Sequence, residues 1–462
     1  MAILTSLPAE LQLSILELAL PDDLINLAIT CKQLWRLAEG PVKQHKALQS
    51  QYRSLTPGAT RDDHTLWDVL NAIIQNPRIA YYIHSVNLPA ERNVYWDSEV
   101  WMSNQVRPEH EHPPSEYVEL FTAAASAGPL KPDDREDSAP SRLETAIANG
   151  SDGPIIALLL PRLPNLKQLT YVDWGDRDWL LDVLKQAAVA YAAPNPPLDF
   201  RNLTTVRLMH WDTELCIPYE FVRYLICMPA VRLLCGHMVG GERASGGPLN
   251  LARSRVTDLE FSYSALSRGA MADILSGIEA LERFTYECGG VMVDYTDYDP
   301  RGMVADLLKY AGHSLEELSV IDVGESEPDE TSPHNSFAGF QKLRCLTLDW
   351  NVLVPDPDEE VEDEEEKDKP LSQGFYTEEN TEPALEVNLA GFLPSSLETL
   401  KLAECPSTEV DLIIRMLEQK EAKLPKLSKI RIGVIWPSPD DIVKLSKAAE
   451  AAGVEFRQYR NS

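Results

Sequence analysis

The sequence predicts an α/β protein: an N-terminal unit of three short helices followed by an irregular array of alternating short parallel strands and helices. Two observations carry this. One six-residue frame, apolar at positions 1, 4 and 6, recurs along most of the chain, and the first fifty residues show only helical spacing. The length of 462 residues points the same way, being too long for one ordinary core and suited to several domains or an elongated array.

The first element is LPAELQLSILELA, Leu7 to Ala19. Leu11, Ile15 and Leu18 form one apolar stripe at helical spacing, and Leu13, Leu16 and Leu20 form a second. Pro8 pre-sets the backbone for a helix start and Glu10 favours the dipole of the first turn, so a helix is expected from about Ala9 to Leu20. Pro21 ends it. Asp22 or Asp23 can cap a second helix bearing Leu24, Leu27, Ala28 and Cys31, and a third through Leu34, Trp35 and Leu37 should stop near Gly40 and Pro41. A module this small cannot bury two stripes on its first helix, so the surplus apolar surface marks a docking face for another protein or for the rest of the chain.

These residues resemble the F-box, a three-helix motif of about this length. The likeness covers residues 5 to 47 and rests on Leu7, Pro8, Glu10 and Leu11, on Ile15, Leu16 and Leu18, and on DDLINLAITCKQLWRLA from Asp22 to Ala38. It implies that Leu7, Pro8, Leu11, Ile15, Leu18, Leu24 and Leu27 pack on a Skp-type adaptor, joining the chain to a cullin-RING ubiquitin ligase. The alternative is a helical cap for the repeats that follow, since such arrays need capped ends.

The recurring frame appears as LKQLTY (from Leu166), LTTVRL (from Leu203), VTDLEF (from Val256), LERFTY (from Leu281), LEELSV (from Leu315), LRCLTL (from Leu343), LETLKL (from Leu397) and LSKIRI (from Leu427). IHSVNL, from Ile83, begins the series. Each copy reads as a short strand with alternate residues facing inward. Helical segments fall between copies at Trp179 to Ala190, Tyr219 to Cys227, Ala270 to Ile278, Met303 to Tyr310, Val410 to Gln419 and Ile442 to Ala451. A strand, a turn and a returning helix in each unit is the content of a leucine-rich repeat, and neighbouring units must stack because none buries its face alone. Starts of the eight copies lie 25 to 54 residues apart, so the solenoid is irregular. The arrangement resembles the divergent repeat regions of fungal F-box proteins. Cys405 and Asn351 fall at position 9 of their copies, where such a residue satisfies backbone groups after the strand.

The domain reading is therefore an F-box over 1–50, a helical connector and first strand over 51–88, a variable insertion over 89–150 and a leucine-rich-repeat region over 151–462. The last contains the acidic run Pro355 to Pro370, with ten carboxylates and two lysines, expected to be solvated and unstructured. It reads as a solubility element, or as a clamp for a basic partner or a competitor for the binding face.

Composition excludes several functions. Seventy-two acidic against 42 basic residues give a formal charge of -30, which repels nucleic acid and anionic membranes and argues for protein partners. No uncharged stretch is long enough to span a bilayer, and a cytoplasmic or nuclear location is expected. The seven cysteines are scattered without a CxxC pair and read as reduced thiols. His110 and His112 flank Glu111 in a polar stretch with no third ligand at defined spacing, so no metal or other cofactor is expected. There is no P-loop, no HExxH and no GxSxG, and the glycines of Val239 to Pro248 lack the lysine and hydroxyl that phosphate cradling needs. The chain is read as non-catalytic.

What remains is a surface. The residues between the inward leucines of each frame point to solvent, and the candidates for holding a target are Arg207, Trp211, Glu260, Arg283, Asp349, Trp350, Lys401 and Arg431. The aromatic positions just after strands, Trp174, Trp211, Trp350 and Trp436, suit either turn filling or recognition.

Overall fold

The computed structural model describes residues 4–58, 65–89, 114–126, 142–173, 178–193, 199–211, 215–242, 251–289, 299–322, 336–354, 388–435 and 437–458. The acidic run, His110 to His112, Trp174 and Trp436 lie outside them. The chain divides into two compact units, the first holding Met1–Val256 and the second Thr257–Ser276, Ala280–Gly290 and Asp294–Ser462, with Gly277–Glu279 and Val291–Val293 belonging to the first. The boundaries read at 50, 88 and 150 all fall inside the first unit.

That unit opens with helices α1 (Ala9–Leu18), α2 (Leu24–Ala28), α3 (Lys32–Leu37) and α4 (Glu39–Tyr52). Gly40 and Pro41 do not end the helical region as expected. They sit in the first turn of α4, where a proline costs no hydrogen bond because the N–H it lacks would have had no intrahelical partner. Leu16, Leu24, Ala28, Leu34, Ala38 and Val42 form a closed apolar cluster, with Leu4, Leu20, Ile25, Leu27, Cys31 and Leu37 packed around it. His45 of α4 and Tyr82 share a buried hydrogen bond of 3.1 Å, which fastens α4 to the turn Pro77–Tyr82.

Strands β1 (Ser54–Leu55), β2 (Ser85–Leu88), β3 (Gln168–Asp173) and β4 (Thr205–His210) follow, then β5 (Ile217–Pro218), β6 (Leu233–His237) and β7 (Val239–Gly241). β1, β2, β3, β4 and β6 pair in that order, all parallel, while β5 pairs with β7. Helices Ser115–Ser126, Arg142–Ala148, Asp152–Leu159, Asp178–Tyr191 and Tyr219–Leu225 separate them.

The second unit is a parallel run of β8 (Asp258–Leu266), β9 (Arg283–Cys288), β10 (Glu317–Asp322), β11 (Cys345–Asp349), β12 (Thr399–Pro406), β13 (Lys429–Ile435) and β14 (Glu455–Gln458). Its longer connections carry helices Arg268–Ser276, Pro300–Ala311, Val410–Glu418 and Pro439–Ala451. The protein is thus α/β with parallel strands in sequence order.

The frame explains the packing. Positions 1, 4 and 6 are buried in copy after copy: Leu315, Leu318 and Val320, or Leu397, Leu400 and Leu402, are each at most 2% exposed. The residues between them are not, so β10 and β13 alternate buried with partly or fully exposed positions. Parallel strands covered on both faces read as continuous apolar runs; alternation means that one face of these strands keeps access to solvent.

Two local devices hold the strand ends. In the last part of β8, where the pairing shifts between Phe261 and Ser264, the Tyr286 hydroxyl donates to the Ser264 carbonyl and accepts from the Leu266 amide, both at 3.0 Å. After β10, the Asp322 amide donates to Asp349 Oδ2 at 2.6 Å. Asn351, expected to serve the backbone here, is exposed in the short helix Trp350–Leu353 and makes no such bond among the described residues; Asp349 does so from two positions earlier. Cys405 fills its expected place as a buried residue, its thiol donating to the Pro406 carbonyl.

Candidate protein-binding surfaces

The first surface belongs to α1–α3. Gln12 is fully buried in α1 and donates through Nε2 to the Leu7 carbonyl at 2.7 Å and to that of Thr5 at 3.3 Å, while Gln33 of α3 donates to Gln12 Oε1 at 3.1 Å. This network ties the Leu7-Pro8 entry to two helices, alongside the packing of Leu4 on the cluster. Of the stripe of Leu13, Leu16 and Leu20, Leu16 is completely buried in the cluster and Leu20 packs on it, while Leu13 is half-buried. Leu11 is 50% and Leu18 73% exposed, and Ile15, Leu7 and Leu27 are half-buried, with Pro8 exposed.

Leu24 is a correction. It was expected on the adaptor-facing surface but has no exposure at all, because α2 is so short that its first residue must close the space between α1 and α3. In its stead the structure exposes Ile29 and Trp35, at 64% and 51%. These two line an open groove of about 390 Å³ with Cys31, Lys32 and Arg36. Trp35 was visible in the sequence as part of the helical motif; its orientation was not, since Leu34 and Trp35 are neighbours and either could have faced inward.

The second set lies on the strands. In the first unit, Arg207 of β4 is exposed, and Trp211 just beyond the strand is 42% exposed with its ring stacked on His210. In the second unit Glu260 is exposed, Lys401 and Arg431 are half-buried, and Arg283 is exposed but bound through Nε to Asp258, which raises its affinity for the proton further.

Asp349 and Trp350, expected on the solvent face, are buried at 4% and 6% exposure. The alternation fails here because β11 ends at Asp349 and the chain turns at once into a helical turn, which rolls both side chains inward. Burial pushes the Asp349 carboxyl up to about 6, assisted by the nearby charges of Glu404 and Asp322 and opposed by the Asp322 amide and Lys401. These two residues are structural. Burial also pushes the Cys405 thiol up to about 12, which leaves no thiolate for nucleophilic chemistry near neutral pH.

Among the described residues, no group of three or more His, Cys, Asp and Glu is arranged to hold a metal ion, and no helix is long and apolar enough to cross a membrane. No protein-family model and no curated protein matches this chain.

Proposed function

We propose that this chain is the substrate-recognition subunit of a cullin-RING ubiquitin ligase, its α1–α3 unit acting as an F-box toward a Skp-type adaptor and its strands, as irregular leucine-rich repeats, holding the target protein. The observation that carries the reading is the exposure of Leu11, Leu18, Ile29 and Trp35 on a helical unit whose own apolar cluster is already closed. Large apolar side chains gathered on so small a module mark a protein-binding face. The residue pattern of Leu7 to Ala38 says which kind.

In this reading the mechanism is proximity. The α1–α3 face anchors the chain to the ligase core, the strand face holds the target, and target lysines reach the charged conjugating enzyme at a raised effective concentration. Bond making belongs to other subunits, and this chain contributes binding alone.

The test is retention of a purified Skp-type adaptor by the full chain. Leu11→Asp with Leu18→Asp should abolish retention while leaving the protein folded, because neither residue belongs to the buried cluster. Retention unchanged by that pair would return α1–α4 to a cap for the repeats, a role to which the His45–Tyr82 anchor is suited.

A further inference from the structure

The first unit carries an apolar line beside a single cation, to which the proposed function assigns no particular ligand. Alternation along β4 brings Arg207 and Met209 to the solvent side, and Trp211 follows one step past the strand, while Val206, Leu208 and His210 turn inward. Arg207 and Met209 lie about 6.6 Å apart, twice the rise of a parallel strand. Strand register sets Val172 of β3 and His237 of β6 on either side of Met209, and Thr170 and Cys235 on either side of Arg207.

Met209 and Trp211 are 39% and 42% exposed although both are large and apolar. The His210 ring backs Trp211, with centroids 6.5 Å apart, and Val172 beside Met209 is half-buried. Apolar residues scattered singly are ordinary on a surface, but these stand together on one strand face.

The same face is nearly free of charge in a chain with 72 acidic and 42 basic residues. On β2, β3, β4 and β6 the solvent-side positions hold no carboxylate, no lysine and one arginine, Arg207. The acid at the end of β3, Asp173, is fully buried. Arg207 is exposed, and no ion pair or hydrogen bond engages its side chain among the described residues.

This sets the chemistry of an occupant. Covering Met209 and Trp211 takes water from the guanidinium beside them, a cost that an opposite charge offsets. One guanidinium matches one carboxylate through two parallel hydrogen bonds. A phosphate, with nearly two negative charges, would bring an unmatched charge onto strands that offer no second lysine or arginine.

We infer that Arg207, Met209 and Trp211, flanked by Val172, dock an extended segment of a partner protein in which one Asp or Glu stands two residues from a large apolar side chain. The segment lies along β4, where its own same-side residues recur at the spacing of the line. The overall charge of -30 does not forbid this, because at physiological ionic strength screening confines interactions to about 8 Å. The inference rests on the strands being the target-holding part of the molecule, and it names the class of segment they take.

The experiment uses the full chain without adaptor and two end-capped fluorescent peptides, Ser-Glu-Ser-Leu-Ser-Phe-Ser and its reverse, read by anisotropy at physiological salt. At least one order should bind, and its counterparts with Gln or phosphoserine in place of Glu should bind about tenfold more weakly or worse, the size expected for losing a matched charge pair. Arg207→Glu should reverse the preference, taking the Lys counterpart over the Glu peptide, and Arg207→Lys should keep Glu ahead of Gln. Met209→Ser should weaken binding at unchanged melting temperature, because the side chain is exposed, and Lys447→Gln, exposed on the helix Pro439–Ala451, should have no effect. Absence of binding in both orders, equal binding of the Gln peptide, tighter binding of the phosphoserine peptide, or an unchanged preference in Arg207→Glu would overturn the proposal. Self-association of the full chain that disappears in Met209→Ser would also overturn it, by making a second copy the occupant. Adaptor retention is measured separately, so failure of this inference and failure of the ligase reading are distinguishable.

Discussion

Single residues in this protein reveal what the repeat frame costs and how it is repaired. Asp349 gives up solvation to serve the Asp322 amide, and its carboxyl rises to about 6 in consequence. A folded-state value above the unfolded one, near 4, means that the folded protein binds the extra proton between about pH 4 and 6, so Asp349 subtracts stability as pH rises through that window. Asp349→Asn keeps an oxygen for the amide and removes the charge. Its urea midpoint should therefore exceed that of the natural protein at pH 7 and converge with it near pH 4, by a stability difference on the order of 2 to 3 kcal/mol at most. Tyr286 is the second such residue: Tyr286→Phe leaves the Ser264 carbonyl and Leu266 amide without their partner in a buried place, and should cost about 1 to 3 kcal/mol, visible as faster amide exchange at Leu266.

At the scale of elements, the two stripes of α1 behave as different materials. Leu16→Ala empties a site of no exposure and should cost about 2 to 5 kcal/mol, read as accelerated hydrogen exchange throughout α1–α3, whereas Leu18→Asp, at 73% exposure, should leave that exchange unchanged. The frame of apolar positions 1, 4 and 6 made all eight of its copies and the one at Ile83 legible as strands, because burial of one strand face at fixed spacing is a strong constraint on sequence. β6 was not legible: Val231 and Leu234 fit the frame but Gly236 stands at position 6, where burial is achieved without a side chain. β14, largely exposed at the end of its run, was not legible because Gly453 and Gln458 stand at positions 1 and 6 of its frame. Leu24, Asp349 and Trp350 were misplaced for one shared reason. Each sits at an element's end, where a turn rather than a period decides which way a side chain points.

At the scale of the whole molecule, the proposed function gives two jobs to two kinds of surface: an apolar helical face for assembly and a strand face for recognition. In the proposed function Leu11, Leu18, Ile29 and Trp35 are exposed because an adaptor covers them. Calorimetric titration of a purified Skp-type adaptor into the full chain tests this most directly. The expected result is a one-to-one complex with the negative heat-capacity change of apolar burial, lost in Leu18→Asp. No heat of binding under conditions where the protein is folded, or identical binding by Leu18→Asp, would contradict it.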